Sequence, residues 1–242
     1  RRFTYAISRA GRLARRIRER VPPWFVPLVS PAMLSPAGKL PALARWVAPD
    51  RPAVQELPLL ARTDDIRPVD RFDRSYDALW DAARSRVRCG LDKDAAYMRW
   101  RYHACPTVTP IVRGVYSSTG RLDGVLVAIR RTELDWRMRP CVTHGEIAEL
   151  VVRPDALDHA RRLLATAVHE LAAAGADEIT ATGMHADLVP AFAAVGFVQE
   201  ECDEFALGVC VDREDEPRLH GLADDVWSTT AADGDALYAP GL

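Results

Sequence analysis

Apolar residues recur at helical spacing in four stretches between residues 71 and 196. The helices predicted from this spacing cover residues 71–87, 92–103, 158–174 and 185–196. The first helix has five large or apolar side chains on one face, namely Phe72, Tyr76, Leu79, Trp80 and Ala83. Asp92 or Asp94 can cap the second helix, and Gly175 can end the third. These stretches predict amphipathic helices that pack one face against a core.

Strand-like runs of apolar and β-branched residues lie between these helices. The runs cover residues 109–117, 124–136, 141–152, 177–183 and 196–212. The turn signal STGR at residues 118–121 joins the first two runs, and residues 137–140 separate the second from the third. Short connections favour antiparallel neighbours, whereas the later alternation of strands and helices favours a parallel pair. We therefore predict an α/β (α+β) fold with a mixed, mostly antiparallel sheet flanked by helices.

The start of the chain has a different character. Residues 1–20 contain eight arginines against the single acid Glu19, with apolar residues at helical spacing. They predict a basic amphipathic helix that packs on a neighbouring domain or contacts an anionic membrane surface or RNA. Residues 21–68 are rich in proline and predict a linker with a short helix near residues 40–47. The expected domains are a helix and linker at 1–68, a folded domain at 69–212 and a polar tail at 213–242.

The overall composition is typical of a soluble globular protein, with 48% hydrophobic and 27% charged residues and a net charge of −2. Such a balance gives no reason to expect DNA binding. The five cysteines are widely spaced and form no C-x-x-C pair, which favours reduced thiols in a cytoplasmic protein. No apolar run reaches the roughly 18 residues that span a bilayer. Because the sequence starts at Arg1 rather than at methionine, we expect an upstream domain before it.

Two motifs resemble those of the GNAT acyltransferase superfamily. Leu150, Val152 and Pro154 match the L-x-V-x-P pattern that ends its central strand. The second motif has the family pattern A-x-x-x-Y-x-x-x-G-F, and here its positions are occupied by Leu188, Phe192, Gly196 and Phe197. Residues 92–106, which include Trp100, also resemble a W-R-Y motif of a divergent branch near the FemAB-type transferases. We expect Trp100 to be buried, because a large aromatic side chain in a short helix usually belongs to the core.

The resemblance implies acetyl-CoA or another acyl-CoA as co-substrate, bound by the end of the central strand and the start of the following helix. The implied cofactor-binding residues are Leu150, Val151, Val152, Leu157, Asp158, His159, Ala160 and Arg161. The family has a glycine-rich loop at this corner, but no glycine lies between Glu149 and Leu171. Asp155 and Asp158 would repel a diphosphate, and Asp158 can instead be the N-cap of its own helix. Both a working cofactor site and a corner capped by its own aspartate remain open.

Acyl transfer to an amine needs a base, a polarised carbonyl and two reactants held together. The candidate catalytic residues are Glu146, Glu149 and His144. The resemblance implies that Glu146 is the base, and that the backbone amides of Leu150 and Val152 polarise the carbonyl. In a straight strand Glu146 and Glu149 would lie on opposite faces, and His144 would share a face with Glu146. No pair of histidines and cysteines besides His103 and Cys105 has ligand-like spacing, so no metal site is expected.

Phe192 stands where the family has a tyrosine that protonates the leaving thiolate, and its surroundings predict a core residue. His185 can replace that acid. The function expected first is transfer of an acyl group from acyl-CoA to an amine of a small molecule or sugar. The alternative is a non-catalytic half of a tandem protein, which serves as a scaffold or acceptor-binding module. A third possibility is a FemAB-type transferase that uses aminoacyl-tRNA, suggested by the basic start of the chain.

Overall fold

The sheet expected from the strand pattern is present in a computed structural model of the chain. The structure describes residues 2–6, 58, 65–87, 89–106, 109–134, 140–182, 185–200 and 227–228. The strands are β1 (Arg2–Ala6), β2 (Ile66–Pro68), β3 (Cys89–Gly90), β4 (Ile111–Tyr116), β5 (Leu122–Leu134), β6 (Pro140–Val152), β7 (Glu178–Thr182), β8 (Val198–Glu200) and β9 (Trp227–Ser228). The α-helices are α1 (Arg74–Ala83), α2 (Ala95–Met98), α3 (Leu157–Ala173) and α4 (Val189–Val195). The shorter helical turns are the 3₁₀ turns Arg84–Arg86 and Ala186–Leu188 and the π turn Arg99–His103.

Seven of these strands form one sheet in the order β2-β4-β5-β6-β7-β1-β8. Neighbouring strands run antiparallel except for β6 and β7, which run parallel because α3 crosses over between them. The prediction of a mixed, mostly antiparallel sheet flanked by helices is confirmed. β3 and β9 form a separate parallel pair.

Helices cover both faces of the sheet, as their apolar stripes require. One apolar cluster joins the sheet to α3 and α4 through residues such as Leu126, Leu163 and Phe192. A second cluster joins the opposite face to α1 and α2 through residues such as Val127 and Leu79. We call these two sides the α3 face and the α1 face.

Local sequence explains where the helices of the α1 face begin. Asp73 caps α1 by accepting a hydrogen bond from the backbone N–H of Ser75 at 2.8 Å. Asp94, one of the two expected caps, accepts from the backbone N–H of Tyr97 at 2.7 Å and so starts α2. The predicted buried stripe of α1 is confirmed, because all five of its members are buried. On the other face, Gly175 follows α3 with a positive φ of 83°, which confirms the expected stop.

The helix predicted for residues 1–20 is wrong for Arg2–Ala6, which form strand β1 between β7 and β8. Thr4 and Tyr5 are buried, and the Tyr5 ring packs 5.3 Å from that of Phe197. Pairing with two strands and burial of an aromatic ring outweigh a local helical pattern, since propensity is a weak determinant. The remainder of residues 1–20, the short helix near 40–47 and most of residues 201–242 lie outside the described residues.

Trp100 is also placed differently from the prediction, because 62% of it is exposed. The short helix α2 widens into the π turn at Arg99, and the side chains that enter the core are Met98 and Tyr102. Trp100 lies between them on the outer side, where its ring packs 5.8 Å from that of Tyr97. The π turn changes the helical period, and for this reason Tyr102 rather than Trp100 enters the core.

Candidate active site

The central strand β6 parts from β7 halfway along its length. The two strands pair only where residues His144–Ile147 meet Glu178–Ala181. β6 continues to Val152 and stays paired with β5 on its other side. Beyond Ile147, the edge of β6 that faces β7 therefore has no strand partner among the described residues. This divergence opens a cleft beside residues 148–152.

A β-bulge lies where the two strands part. Val127 of β5 stands opposite Glu149, and Ala128 stands opposite Ile147, so Ala148 is an extra residue on β6. Glu146 stands opposite Ile129, and both Val127 and Ile129 belong to the apolar cluster of the α1 face. Glu146 and Glu149 therefore lie on the same face of the sheet. The expectation that they lie on opposite faces is wrong, because the extra residue converts an odd spacing into a shared face.

The lower part of β6 carries a second polar pair on this face. His144 stands opposite Arg131 and shares the face of Glu146, as predicted. Arg131 donates from Nη2 to Oε2 of Glu146 at 3.0 Å, while the Glu146 side chain is only 8% exposed. His144 and Glu146 lie where β6 is still paired with β7, and neither of them lines the cavity described below. Glu146 is thus bound to arginine at the closed end of the cleft.

Glu149 has a buried ammonium as its partner. Nζ of Lys93 lies 3.0 Å from both carboxylate oxygens, and the two side chains are 4% and 2% exposed. The hydroxyl of Tyr102 donates to Oε1 of Glu149 at 3.3 Å. Removing charges from water is costly, and here the ion pair and the added hydrogen bond compensate for it. The sequence did not single out Lys93, because a lysine just before a helix cap has no distinguishing pattern.

Helix α1 holds the loop that carries Lys93. Nε1 of Trp80 donates to Oδ1 of Asp92 at 2.5 Å, one residue before the lysine. The backbone N–H of Ala95 donates to Oδ1 of Asp77 at 2.8 Å, two residues after it. The lysine is thus fixed on both sides by bonds to one helix. This fixes the ammonium between α1 and β6.

Tyr76 of α1 adds a phenol to the same region. Its side chain is fully buried, and its hydroxyl has no hydrogen-bond partner among the described residues. Burial, and secondly the negative charge of Glu149, raise the pKa of Tyr76 well above its ordinary value. The phenol is therefore neutral at physiological pH and has a proton to donate.

A small cavity of about 50 Å³ lies between the end of β6, α1 and the turn before α4. Its walls are formed by Trp80, Ala83, Arg86, Val87, Lys93, Glu149, Leu150, Val151, Val152, His185 and Leu188. Three of the predicted cofactor-binding residues and Glu149 are therefore brought together here. His185, the candidate acid, also reaches this wall, whereas Phe192 is fully buried in the core of the α3 face, as predicted.

Arg86 lines this cavity and contacts two of its walls. Its Nη2 donates to the backbone carbonyl of Val152 at 2.7 Å, and its Nη1 lies 3.4 Å from Oδ2 of Asp187. Because the Val152 carbonyl points into the cleft, the N–H of Val152 and both backbone groups of Leu150 point there too. The N–H of Arg153 points the other way, toward Asp123 of β5, at 3.0 Å. This alternation directs the backbone polar groups of Leu150 and Val152 into the cleft.

The start of α3 supplies the other half of the expected cofactor site. The helix begins at Leu157, and Ala156 occupies the cap position without a side-chain hydrogen bond. The proposal that Asp158 caps the helix is wrong, because Asp158 lies inside the first turn. Asp155 and Asp158 are exposed, so water screens their repulsion of an anion. A helix start without a side-chain cap leaves backbone N–H groups for an anion.

The remaining residues of this turn differ in direction. Ala160 is fully buried against the sheet, so its side chain faces the core while its backbone belongs to the helix start. His159 is half-buried and Arg161 is exposed. Together with Pro154, the residues from Asp155 to His159 line an open depression at the start of α3.

Neither a metal centre nor a membrane span is found in the described part of the chain. No group of three or more histidine, cysteine, aspartate or glutamate side chains there is arranged to hold a metal ion. Within the same residues, no helix is long and apolar enough to cross a membrane.

No family model and no curated protein matches the sequence. Among solved structures, Saccharomyces cerevisiae N-myristoyltransferase with bound myristoyl-CoA is 12% identical over 74% of this chain, with a TM-score of 0.46. Another structure of this yeast enzyme with myristoyl-CoA is 12% identical, and one with myristoyl-CoA and inhibitors is 9% identical; both have TM-scores of 0.41. The chain spans less than half of the length of these enzymes, with 43%, 41% and 41% covered.

Proposed function

We propose that this chain is an acyl-CoA-dependent N-acyltransferase that moves an acyl group to an amine of a small molecule or sugar. The observation that carries the proposal is the divergence of β6 from β7 at the bulge. It directs the backbone of Leu150 and Val152 into a cleft whose wall holds the buried Glu149–Lys93 pair. An open strand edge beside a buried carboxylate combines the means to bind an amide-containing arm with the means to accept a proton.

The co-substrate suits the two halves of the site. The pantetheine arm of CoA contains two secondary amides, which can pair with the free edge of a strand as an added strand does. Val152 and Leu150 supply that edge. The diphosphate of CoA then reaches the start of α3, where the backbone N–H groups of Leu157 and Asp158 favour an anion, whereas that of His159 already donates to the carbonyl of Ala156 at 3.0 Å. Acetyl-CoA is the simplest donor of this class.

The chemistry requires one proton acceptor and one polarising group. In the proposed step, the amine nitrogen forms a bond to the thioester carbon, and the carbon–sulfur bond breaks with its electron pair going to sulfur. The amine proton passes to the Glu149 carboxylate and then to the thiolate, which leaves as CoA thiol. The N–H of Leu150 stabilises the negative charge that develops on the carbonyl oxygen.

Glu149 suits the role of base better than Glu146. Glu149 lines the cavity, whereas Glu146 is bound by Arg131 at the closed end of the cleft. The lysine that compensates for the buried charge of Glu149 also fixes its orientation. We assign Glu146, Arg131 and His144 a supporting role below the reaction centre.

A second candidate function follows from the size of the cavity. At about 50 Å³ it is far smaller than the roughly 300–1,000 Å³ of ordinary small-molecule pockets, and Arg86 is bound to the Val152 carbonyl in its wall. A non-catalytic half of a tandem protein, with its cofactor cleft closed, would have this geometry. Acyl-CoA binding separates the two candidates. The FemAB-type relationship, the upstream domain and the cytoplasmic location remain predictions from the sequence.

The test combines calorimetry with two matched glutamate variants. We expect acetyl-CoA to bind the purified chain at micromolar concentration, and thiol release to appear when a mixture of amino acids, amino sugars and polyamines is added. Glu149→Gln should bind acetyl-CoA as the unaltered chain does but release thiol about 100-fold more slowly, the usual effect of losing a general base. Glu146→Gln, which alters the same strand face, should have a much smaller effect. Absence of acetyl-CoA binding at millimolar concentration would refute the enzyme and favour the scaffold.

A further inference from the structure

Arg86 occupies a backbone position that a ligand of the cleft needs. Its Nη2 lies 2.7 Å from the Val152 carbonyl, the last carbonyl of β6. Its Nη1 reaches Asp187 on the opposite side of the cleft at 3.4 Å. The guanidinium therefore bridges β6 and the turn before α4, and its side chain is only 20% exposed.

We propose that Arg86 is an autoinhibitory latch, whose guanidinium holds the Val152 carbonyl that the pantetheine arm of acyl-CoA must take. The inference rests on the proposed function, since it concerns the same cleft. A carbonyl that accepts a charged donor at 2.7 Å is not free to accept an amide of a ligand in the same direction. Acyl-CoA therefore binds only when Arg86 leaves.

The geometry lets Arg86 leave without a movement of the backbone. Its backbone belongs to the 3₁₀ turn Arg84–Arg86, which is closed by a bond from the N–H of Val87 to the carbonyl of Arg84 at 2.9 Å. Rotation of the long side chain disturbs no element of the sheet. Asp187, whose side chain is 45% exposed, keeps a partner available to the guanidinium outside the cleft. The latch thus has a closed and an open position with the backbone unchanged.

The latch lowers the apparent affinity for acyl-CoA. A ligand that binds only the open form has an apparent dissociation constant equal to the intrinsic one divided by the open fraction. Removing one hydrogen bond from a charged donor typically changes an equilibrium about tenfold or more. We therefore expect Arg86→Met to bind acetyl-CoA about tenfold more tightly than the unaltered chain.

The experiment is calorimetric titration with two ligands and two matched variants. The ligands are acetyl-CoA and adenosine 3′,5′-bisphosphate, which has phosphates and adenine but no pantetheine arm. Arg84→Met is the control, because Arg84 lies in the same turn, pairs with Asp81 at the surface and carries the same charge. Arg86→Met should raise the affinity for acetyl-CoA but not for adenosine 3′,5′-bisphosphate, and Arg84→Met should raise the affinity for neither ligand. Arg86→Lys, which keeps the charge but loses the forked donor, should lie between the two and replaces Arg86→Met if that variant does not fold.

Each outcome decides the matter. Binding of acetyl-CoA to Arg86→Met about tenfold more tightly than to the unaltered chain, with adenosine 3′,5′-bisphosphate unchanged, would support the latch. Equal affinities for the two chains would overturn the latch and leave the proposed function standing. Weaker binding of both ligands by Arg86→Met would show that Arg86 is a phosphate contact and would likewise overturn it. No binding of acetyl-CoA to either chain would remove the proposed function and the latch together.

Discussion

The two faces of the sheet are packed by different kinds of side chain. On the α3 face, the packing between sheet and helix is carried by aliphatic and aromatic side chains such as Leu126, Leu163 and Phe192. On the α1 face, the apolar cluster surrounds the buried ion pair of Lys93 and Glu149 and the phenols of Tyr76 and Tyr102. Both faces bury their residues to a similar degree, yet only the second buries this ion pair.

This difference indicates that the α3 face mainly stabilises the fold, whereas the ion pair of the α1 face has a role in the cleft. Apolar burial on the α3 face stabilises the fold and can be altered without changing a charge. A buried ion pair is weak support for a fold, because the cost of removing charges from water offsets the attraction between them. Its presence beside the parted strands is therefore better explained by a role in the cleft. The bulge at Ala148 is what turns Glu149 toward this face.

The largest effect should follow from breaking the ion pair on one side. Lys93→Met leaves the Glu149 carboxylate buried without its ammonium, which typically costs about 3–5 kcal/mol of unfolding free energy. Urea unfolding at neutral pH measures this loss. The double variant Lys93→Met/Glu149→Gln removes both charges and should recover most of the stability, but not the thiol release. Arg113→Met is the control, because Arg113 also pairs with a glutamate, Glu170 at 2.7 Å, but lies away from the cleft and is partly exposed. If the control cost as much as Lys93→Met, burial of the pair would not be the cause.

A somewhat smaller effect is expected on the α3 face. Leu163 is fully buried, and Leu163→Ala should cost about 3 kcal/mol, through lost transfer free energy and the cavity left behind. The first substitutions on the two faces then cost similar amounts of unfolding free energy, but only on the α1 face does a second substitution recover it. Leu163 has no charged partner whose neutralisation could recover the stability lost in Leu163→Ala. The stability lost in Lys93→Met is recovered by adding Glu149→Gln. Differential scanning calorimetry gives both losses in one experiment. Near-neutral behaviour of Leu163→Ala would mean that the α3 face does not carry the core.

The elements of both faces could be predicted from the sequence, because hydrophobic periodicity is a local property. The stripe from Phe72 to Ala83 and the strand at 141–152 were predicted from their spacing, and both are found, the strand as Pro140–Val152. β1 could not be predicted in this way. Its five residues have a helical pattern, and the strands they pair with lie more than 170 residues further along the chain. Long-range pairing is invisible in a local window.

The sequence indicated which strand carries the candidate site, but not how the side chains of the site are arranged. Glu149, Leu150 and Val152 line one cavity at the end of β6, whereas Glu146, the base that the resemblance implied, does not line it. The shared face of Glu146 and Glu149 depends on a bulge that no spacing rule reports. Lys93 and Arg86 come from loops and turns of the α1 face, and only the tertiary fold brings them to β6. Partners that are distant in sequence therefore escaped prediction, while the residues on one strand did not.

The smallest effect at neutral pH should come from Tyr76. Its hydroxyl is buried with no hydrogen-bond partner among the described residues, so Tyr76→Phe should stabilise the chain by about 1 kcal/mol. The pKa of Tyr76 is raised by burial and by Glu149, so the folded state holds its proton more tightly than the unfolded state does. That contribution to stability is fully present below the ordinary pKa of 10.0 and is lost as the pH rises above it.

Urea unfolding at pH 8 and at pH values above 10 tests this sign. The advantage of Tyr76→Phe should grow with alkalinity, because the phenylalanine variant has no proton to lose on unfolding. Tyr116→Phe is a suitable comparison, since the pKa of Tyr116 is raised by burial to a lesser degree and its ring is half-buried at the surface. An advantage of Tyr76→Phe that stays constant with pH would mean that the phenol is not desolvated in the folded chain. The polar groups of the α1 face would then be hydrated, and the contrast with the dry α3 face would be lost.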